Sequence, residues 1–108
     1  MGANHRFRRY WPLRRFVVAE DSMRPALAPG DGIVALRGGA PRTGQLRVFP
    51  DPTVPARWLV KRVGEVTGTT FQACSDNPRA AGVEDSRHFG SVPADGSYRV
   101  IWTLRSRR

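Results

Sequence analysis

RWLVKRVGEV occupies residues 57–66 and predicts a long β-strand that carries a lysine inside an apolar run. Successive side chains of a strand point to opposite faces, so Lys61 and Arg62 must face opposite ways. The inward one lies where burial disfavours a charged group. A lysine has an ordinary pKa of about 10.4, and a base near neutrality needs about 7–8. We therefore expect Lys61 to be buried, because a desolvated lysine can take the proton of a serine hydroxyl.

Glycines and prolines separate short β-rich runs along the whole chain, which favours an all-β fold with many turns. The segment from 75 to 96 is predicted to be mostly loop, and so long a loop in a compact domain is usually functional or disordered. One helical turn is expected near residue 26. Strands are predicted at residues 15–20, 32–36, 45–49, 57–66, 69–74 and 98–104.

The 108 residues indicate one small domain, residues 13–104, between a basic N-terminal arm, 1–12, and a basic tail, 105–108. The single cysteine, Cys74, excludes an intramolecular disulfide and is expected to be a buried strand residue. The two histidines lie far apart, with no cysteine or histidine at ligand spacing, so no metal and no cofactor are predicted.

DSMRPALAPGD occupies residues 21–31 and places a serine, Ser22, between an apolar strand and a proline-bounded turn. Its hydroxyl should be held away from the backbone and accessible, although a turn or capping role is the alternative. For Lys61 the alternative is a side chain whose stem follows an apolar surface while the ammonium reaches water. The two residues together favour a pair in which Lys61 activates Ser22 as a nucleophile. Asp31 is expected to accept backbone N–H bonds in a tight turn.

These residues, in this order, resemble the signal peptidase I family of serine–lysine peptidases, which is related in fold to the LexA-type self-cleaving repressors. Three motif blocks carry the resemblance and span most of residues 16–102. They are Ser22-Met23-Arg24-Pro25 with Gly30-Asp31, then Lys61-Arg62-Val63, then Asp76-Asn77 with Asp85-Ser86-Arg87 and Phe89-Gly90.

The resemblance implies a mainly β fold, a small, coiled and partly closed β-barrel with long loops. It implies a serine endopeptidase in which Ser22 is the nucleophile and Lys61 the base, with no cofactor. The substrate would be a precursor protein or peptide, bound as an extended strand. Within the family the chain is most similar to the short, soluble group of nickel-type superoxide dismutase maturation proteases, which trim a propeptide in the cytoplasm.

The chain departs from the family pattern at three positions. Ser75 stands where the family has the glycine of Gly-Asp-Asn. Val83 stands where many members have a serine that hydrogen bonds the lysine. Glu20 stands where many signal peptidases have a serine that helps to hold the oxyanion.

Asp85 and Arg87 are expected to form an ion pair that fixes the long loop near the lysine.

The formal net charge is +9, with many arginines near both ends of the chain. We interpret these ends as solvated tails, with attraction to an acidic substrate, a membrane surface or nucleic acid as the alternative. The longest apolar run before Ser22 covers only residues 16–19, whereas a spanning helix needs about 20 apolar residues. We expect no integral membrane segment and a soluble, cytoplasmic protein, with peripheral membrane binding through the arginines as the exception.

Two other functions stay open from the sequence. The first is a non-catalytic module of the same fold that binds a peptide in the same groove, favoured by the changes at Glu20 and Val83. The second is a nucleic-acid-binding module, which rests on charge alone because no known binding pattern accompanies the basic residues.

Overall fold

The computed structural model describes residues 12–106. The predicted arm therefore lies outside the described residues except for Pro12, as do Arg107 and Arg108 of the tail. The described range contains seven β-strands and one short helix. In chain order they are β1 (Leu13–Val17), β2 (Gly32–Arg37), β3 (Leu46–Pro50), β4 (Trp58–Thr67), β5 (Thr70–Cys74), α1 (Ser86–Phe89), β6 (Val92–Pro93) and β7 (Tyr98–Leu104).

The seven strands form one antiparallel sheet in the order β1-β2-β7-β3-β4-β5-β6. The predicted mainly β class is confirmed. The edge strands β1 and β6 do not pair with each other, so the sheet is open and does not close into a barrel. No helix within residues 12–106 is long and apolar enough to cross a membrane.

The bounds predicted for the first strand, residues 15–20, were wrong, because β1 covers Leu13–Val17. Beyond it the Val18 N–H still donates to the Asp31 carbonyl, at 2.9 Å. The segment from 75 to 96 is mostly loop, as predicted, and also contains α1 and β6. Asp85 caps α1, accepting the Arg87 N–H at 3.0 Å.

Cys74 was expected to be buried, and this was wrong, because its side chain is exposed. It is the last residue of β5, and Ala73 before it occupies the buried side. Alternation along the strand therefore turns Cys74 outward.

The sheet buries an apolar cluster on each face, and consecutive residues of β3 and β4 belong to different clusters. Val48 and Val60 pack in one cluster, whereas Phe49 and Leu59 pack in the other. The first buried cluster comprises Val18, Met23, Leu27, Ile33, Ala35, Val48 and Tyr98. The second comprises Phe49, Leu59, Val63, Phe71, Ala73 and Val92.

Candidate active site

Ser22 and Lys61 line the same groove, which has a volume of about 280 Å³. Ser22 lies in the connection from β1 to β2, and Lys61 lies in β4. The fold thus brings together two residues that are far apart in the sequence. The other lining residues are mostly apolar or aromatic and are Phe16, Val17, Val18, Ala19, Glu20, Ile33, Val48, Arg57, Trp58, Leu59 and Val60.

Ser22 is held by the backbone of a neighbouring loop. Its carbonyl accepts the Asn77 N–H at 2.7 Å, and the Asn77 side chain donates to the Asp21 carbonyl at 3.1 Å. Met23 is fully buried beneath it, and its Sδ accepts the Asp76 N–H at 3.4 Å. Ser22 is only 5% exposed, and its hydroxyl makes no hydrogen bond to any residue between 12 and 106. Within the described residues no buried side-chain oxygen or nitrogen lacks a partner, so the unpaired Ser22 hydroxyl opens onto the groove, where it can meet a ligand.

Lys61 is buried, as predicted, with 1% of its side chain exposed. Burial lowers its pKa from the ordinary lysine value, and this outweighs the nearby carboxylates of Asp85 and Glu20, which raise it. Its Nζ donates to Ser75 Oγ at 3.0 Å. Within the described chain it makes no hydrogen bond to Ser22, so the groove holds the two groups without a direct bond between them.

Lys61 is also the only lysine in the sequence, since all other Lys and Arg positions are arginine. Arginine stays protonated in proteins, whereas a buried lysine can lose its proton. The only lysine of the sequence, a long-chain cation that can lose its proton, thus lines the same groove as Ser22.

Ser75 is the residue that the sequence interpretation missed. The family pattern put the lysine's hydrogen-bonding serine at position 83, which is valine here, but Ser75 accepts that bond instead. The hairpin alone could not have revealed it, because counting from the turn between Thr67 and Thr70 places Asp76 opposite Lys61. An irregularity between Val63 and Val66 shifts the pairing by one residue, so Arg62 pairs with Cys74 and Ser75 falls opposite Lys61.

Asp85 extends this contact into a chain of polar groups. The Ser75 hydroxyl donates to the Asp85 carboxylate, and Arg87 Nε donates to it at 3.0 Å. Burial raises the pKa of Asp85, but the hydrogen bonds from Arg87 and Ser75 and the Arg87 charge outweigh it and lower the pKa to about 2. The predicted Asp85–Arg87 ion pair is confirmed. This ion pair keeps the Asp85 carboxylate ionised near Lys61.

Arg62 points away from Lys61, as the strand alternation required. Its Nη2 lies 2.6 Å from Asp76 Oδ2, so its charge is paired on the other side of β4. Asp31 has the structural role predicted for it, since its carboxylate accepts the Ala28 and Ser106 N–H groups, each at 2.9 Å.

The other two departures from the family pattern differ in their place, because Glu20 lines the groove and Val83 does not. Glu20 is on its wall and faces Arg57, with 3.7 Å between Oε2 and Nη1. Val83 is half-buried in the loop before α1 and donates its N–H to the Ala80 carbonyl at 3.4 Å.

Among residues 12–106, no three His, Cys, Asp or Glu side chains are grouped to hold a metal ion.

Comparison of the sequence with models of protein families finds no match, and comparison with curated proteins finds none either. The groove and its residues are therefore the features that bear on function.

Proposed function

We propose that the chain is a serine endopeptidase in which Ser22 is the nucleophile and Lys61 the general base, similar in chemistry to the signal peptidase I family. The observation that carries this proposal is that one groove contains the unpaired hydroxyl of Ser22 and a buried lysine whose pKa is lowered. A serine becomes a useful nucleophile only when a neighbouring base accepts its proton.

In the first half of the reaction, neutral Lys61 takes the proton of Ser22 Oγ while that oxygen attacks the substrate carbonyl. Backbone N–H groups beside Ser22 stabilise the oxyanion. The Lys61 ammonium then protonates the leaving amine, which releases one peptide and leaves an acyl-enzyme. In the second half, Lys61 deprotonates a water molecule that hydrolyses the ester and restores Ser22. Lys61 Nζ has to turn from Ser75 towards Ser22, and the rotatable lysine side chain permits this.

The substrate would be a precursor protein or peptide that lies extended along the groove, beside the segment after β1 and the start of β4. The mostly apolar lining suits apolar substrate side chains. Removal of a propeptide or signal peptide is the reaction class we propose, with nickel superoxide dismutase maturation as the family group that the sequence most resembles. No cofactor is required by this mechanism.

The test is a comparison of Ser22→Ala, Lys61→Ala and the double variant with the wild-type protein. Each single change should abolish cleavage of a quenched peptide substrate, and the double variant should lose no more than either one, because the two residues act as a unit. A serine-directed acylating probe should label the wild type and Ser91→Ala but not Ser22→Ala. Near-normal turnover by Lys61→Ala would exclude the dyad.

The pH dependence gives a second test of the base. Because Lys61 works only when neutral, the rate should rise as the pH increases through its lowered pKa and fall steeply in acid. A profile that stays flat from acid to alkaline pH would exclude lysine as the base.

A peptide-binding module without catalysis is the second candidate. Glu20 at the oxyanion position and the missing Ser22–Lys61 hydrogen bond favour it. Binding of peptides in the groove without cleavage or probe labelling would establish this alternative.

A nucleic-acid-binding role ranks last, and steeply salt-dependent retention of DNA would favour it.

We propose a cytoplasmic, soluble location, with at most peripheral membrane binding. An anionic surface attracts basic residues by about 1 kcal/mol each, and salt screens the attraction. Cell fractionation at low and high salt tests this. Retention in the membrane pellet after a high-salt wash would contradict it.

A further inference from the structure

Glu20 and Arg57 line the groove, and two further carboxylates, those of Asp51 and Glu84, contact Arg57 from outside the lining. Arg57 Nη2 lies 2.9 Å from Asp51 Oδ2 and 3.3 Å from Glu84 Oε1, and its Nη1 lies 3.7 Å from Glu20 Oε2. Three carboxylates from three separate segments thus face one guanidinium. We call Glu20, Asp51, Arg57 and Glu84 the charged rim.

The three carboxylates of the charged rim are not equivalent. Asp51 is fully buried and also accepts the N–H groups of Thr53 at 2.8 Å and Val54 at 3.3 Å. Its charge is therefore fully engaged with Arg57 and the loop. Glu20 and Glu84 have side chains that are 42% and 47% exposed, and each touches Arg57 at a longer distance than Asp51 does. Their oxygens can accept a second cation.

A separate feature marks this groove as a place for a ligand. Ser22 on its wall is only 5% exposed as a residue, and its hydroxyl is unpaired within the described residues and opens onto the groove. Beside it, Phe16, Ile33 and Val48 give the wall an apolar character. A ligand that matches the groove would have a backbone that hydrogen bonds the Ser22 hydroxyl, an apolar side chain that packs on the wall, and a positive charge that pairs with the exposed carboxylates.

We infer that the groove selects peptides in which a lysine or arginine lies within a few residues of an apolar side chain at the cleavage site. The apolar side chain packs on the groove wall, and the basic one pairs with Glu20 and Glu84. This inference rests on the proposed peptidase function and adds the substrate class to it. The selectivity is a local property, because the whole chain has a formal net charge of +9.

Arg14 places a positive charge near the groove, which opposes the binding of a basic substrate side chain. Its guanidinium carbon lies 4.8 Å from the centre of the Trp58 ring and 5.4 Å from that of Phe16, and both rings line the groove. An arginine stacked on aromatic faces is held there by cation–π attraction. Together with Arg57 it could instead favour an acidic substrate, so the experiment includes acidic peptides.

The experiment uses three series of quenched fluorescent peptides that share one apolar core and carry Lys, Gln or Glu at successive positions beside it. We expect the best Lys peptide to exceed its Gln counterpart by about fivefold to thirtyfold in kcat/KM, which corresponds to one or two partly exposed ion pairs. The double variant Glu20→Gln/Glu84→Gln should lose most of this preference. Glu65→Gln, an exposed glutamate of β4 outside the groove, should keep it.

Binding of the same peptides to the Ser22→Ala protein, measured by fluorescence anisotropy, separates this inference from the proposed function. Binding that favours Lys without any cleavage by the wild type would support the charged rim and overturn the peptidase proposal. Cleavage with equal or greater preference for Gln or Glu peptides would support the peptidase and overturn the rim. Absence of both binding and cleavage would overturn the inference as well, as would an unchanged Lys preference in the double variant.

Discussion

Arg47 and Lys61 are both buried cations, and they face each other as directly paired residues of β3 and β4. Arg47 is fully engaged: its Nη2 donates to the Gly38 and Gly39 carbonyls at 2.7 and 3.2 Å, and its Nε donates to Ser97 Oγ at 2.9 Å. Lys61 has one side-chain partner in the described chain, Ser75. Burial of a charge is thus a poor indicator of function by itself.

The difference lies in what each cation can do once it is buried. Arg47 joins the loop after β2 to the segment before β7, and a guanidinium keeps its proton. Lys61 has spare hydrogen-bonding capacity, faces an open groove and can become neutral. We therefore propose that Arg47 stabilises the fold and that Lys61 acts in the proposed reaction.

The largest expected effect is on the activity of Lys61→Met. Methionine has a similar volume, but its thioether cannot accept the proton of the Ser22 hydroxyl. We therefore expect kcat/KM to fall by about a thousandfold or more. Cleavage of the quenched peptide measures this, with circular dichroism to confirm the fold. Activity within about tenfold of wild type would place the base elsewhere.

Arg47→Met should act on stability instead. It leaves the carbonyls of Gly38 and Gly39 without their donor, and we expect the free energy of unfolding to fall by about 2–4 kcal/mol. Urea unfolding measures the change, with Arg42→Met, an exposed arginine of the same loop region, as the control. Below the unfolding transition the specific activity should stay near wild type. A stable, inactive Arg47→Met would show that our division of the two cations is wrong.

Ser75→Ala should reduce kcat by up to about a hundredfold, because Lys61 loses the hydroxyl that orients it. KM should change little, since Ser75 does not line the groove. Ser75→Thr keeps a hydroxyl and should recover part of the activity, which a purely structural defect would not explain. The control is Ser91→Ala. Equal kcat in Ser75→Ala and the wild type would remove Ser75 from the mechanism.

Asp85 should make stability depend on acid pH. Its pKa is about 2 in the folded chain against an ordinary 3.8, so between these values the unfolded chain binds more protons. Stability from this group is complete above about pH 4 and is lost as the pH falls through about 2, a change of roughly 2 kcal/mol. Asp85→Asn should remove that part of the dependence, whereas Asp95→Asn, an exposed residue, should retain it. Parallel curves for the wild type and Asp85→Asn would contradict the low pKa.

The smallest effect concerns the stability cost of the buried lysine. Between the lowered pKa of Lys61 and its ordinary value of 10.5, the unfolded chain binds more protons than the folded one. Stability of the wild type should therefore rise with pH through this window. Lys61→Met lacks this cost and should be more stable near neutral pH, with the gain shrinking as the pH rises. A constant difference at all pH values would show that Lys61 does not titrate abnormally.

Much of this protein follows from sequence patterns that depend on nearby residues. Alternation predicted that Lys61 and Arg62 face opposite ways, and the strands β2, β3, β4, β5 and β7 begin and end within a residue or so of their predicted bounds. The turn at Asp31 was also predictable, because a short acidic side chain after Pro-Gly bonds adjacent backbone N–H groups. Such features need only the local chain.

The tertiary structure decided what depends on residues distant in the chain. The sheet order puts β7 between β2 and β3, a pairing that no local pattern specifies, and leaves the sheet open. The shifted register between β4 and β5 determined that Ser75, and not position 83, bonds the lysine. The charged rim likewise exists only because three distant segments meet at Arg57. These three features depend on contacts between residues that are distant in the sequence. The burial of two apolar clusters fixes the geometry of such contacts, and the spacing of residues along the chain does not.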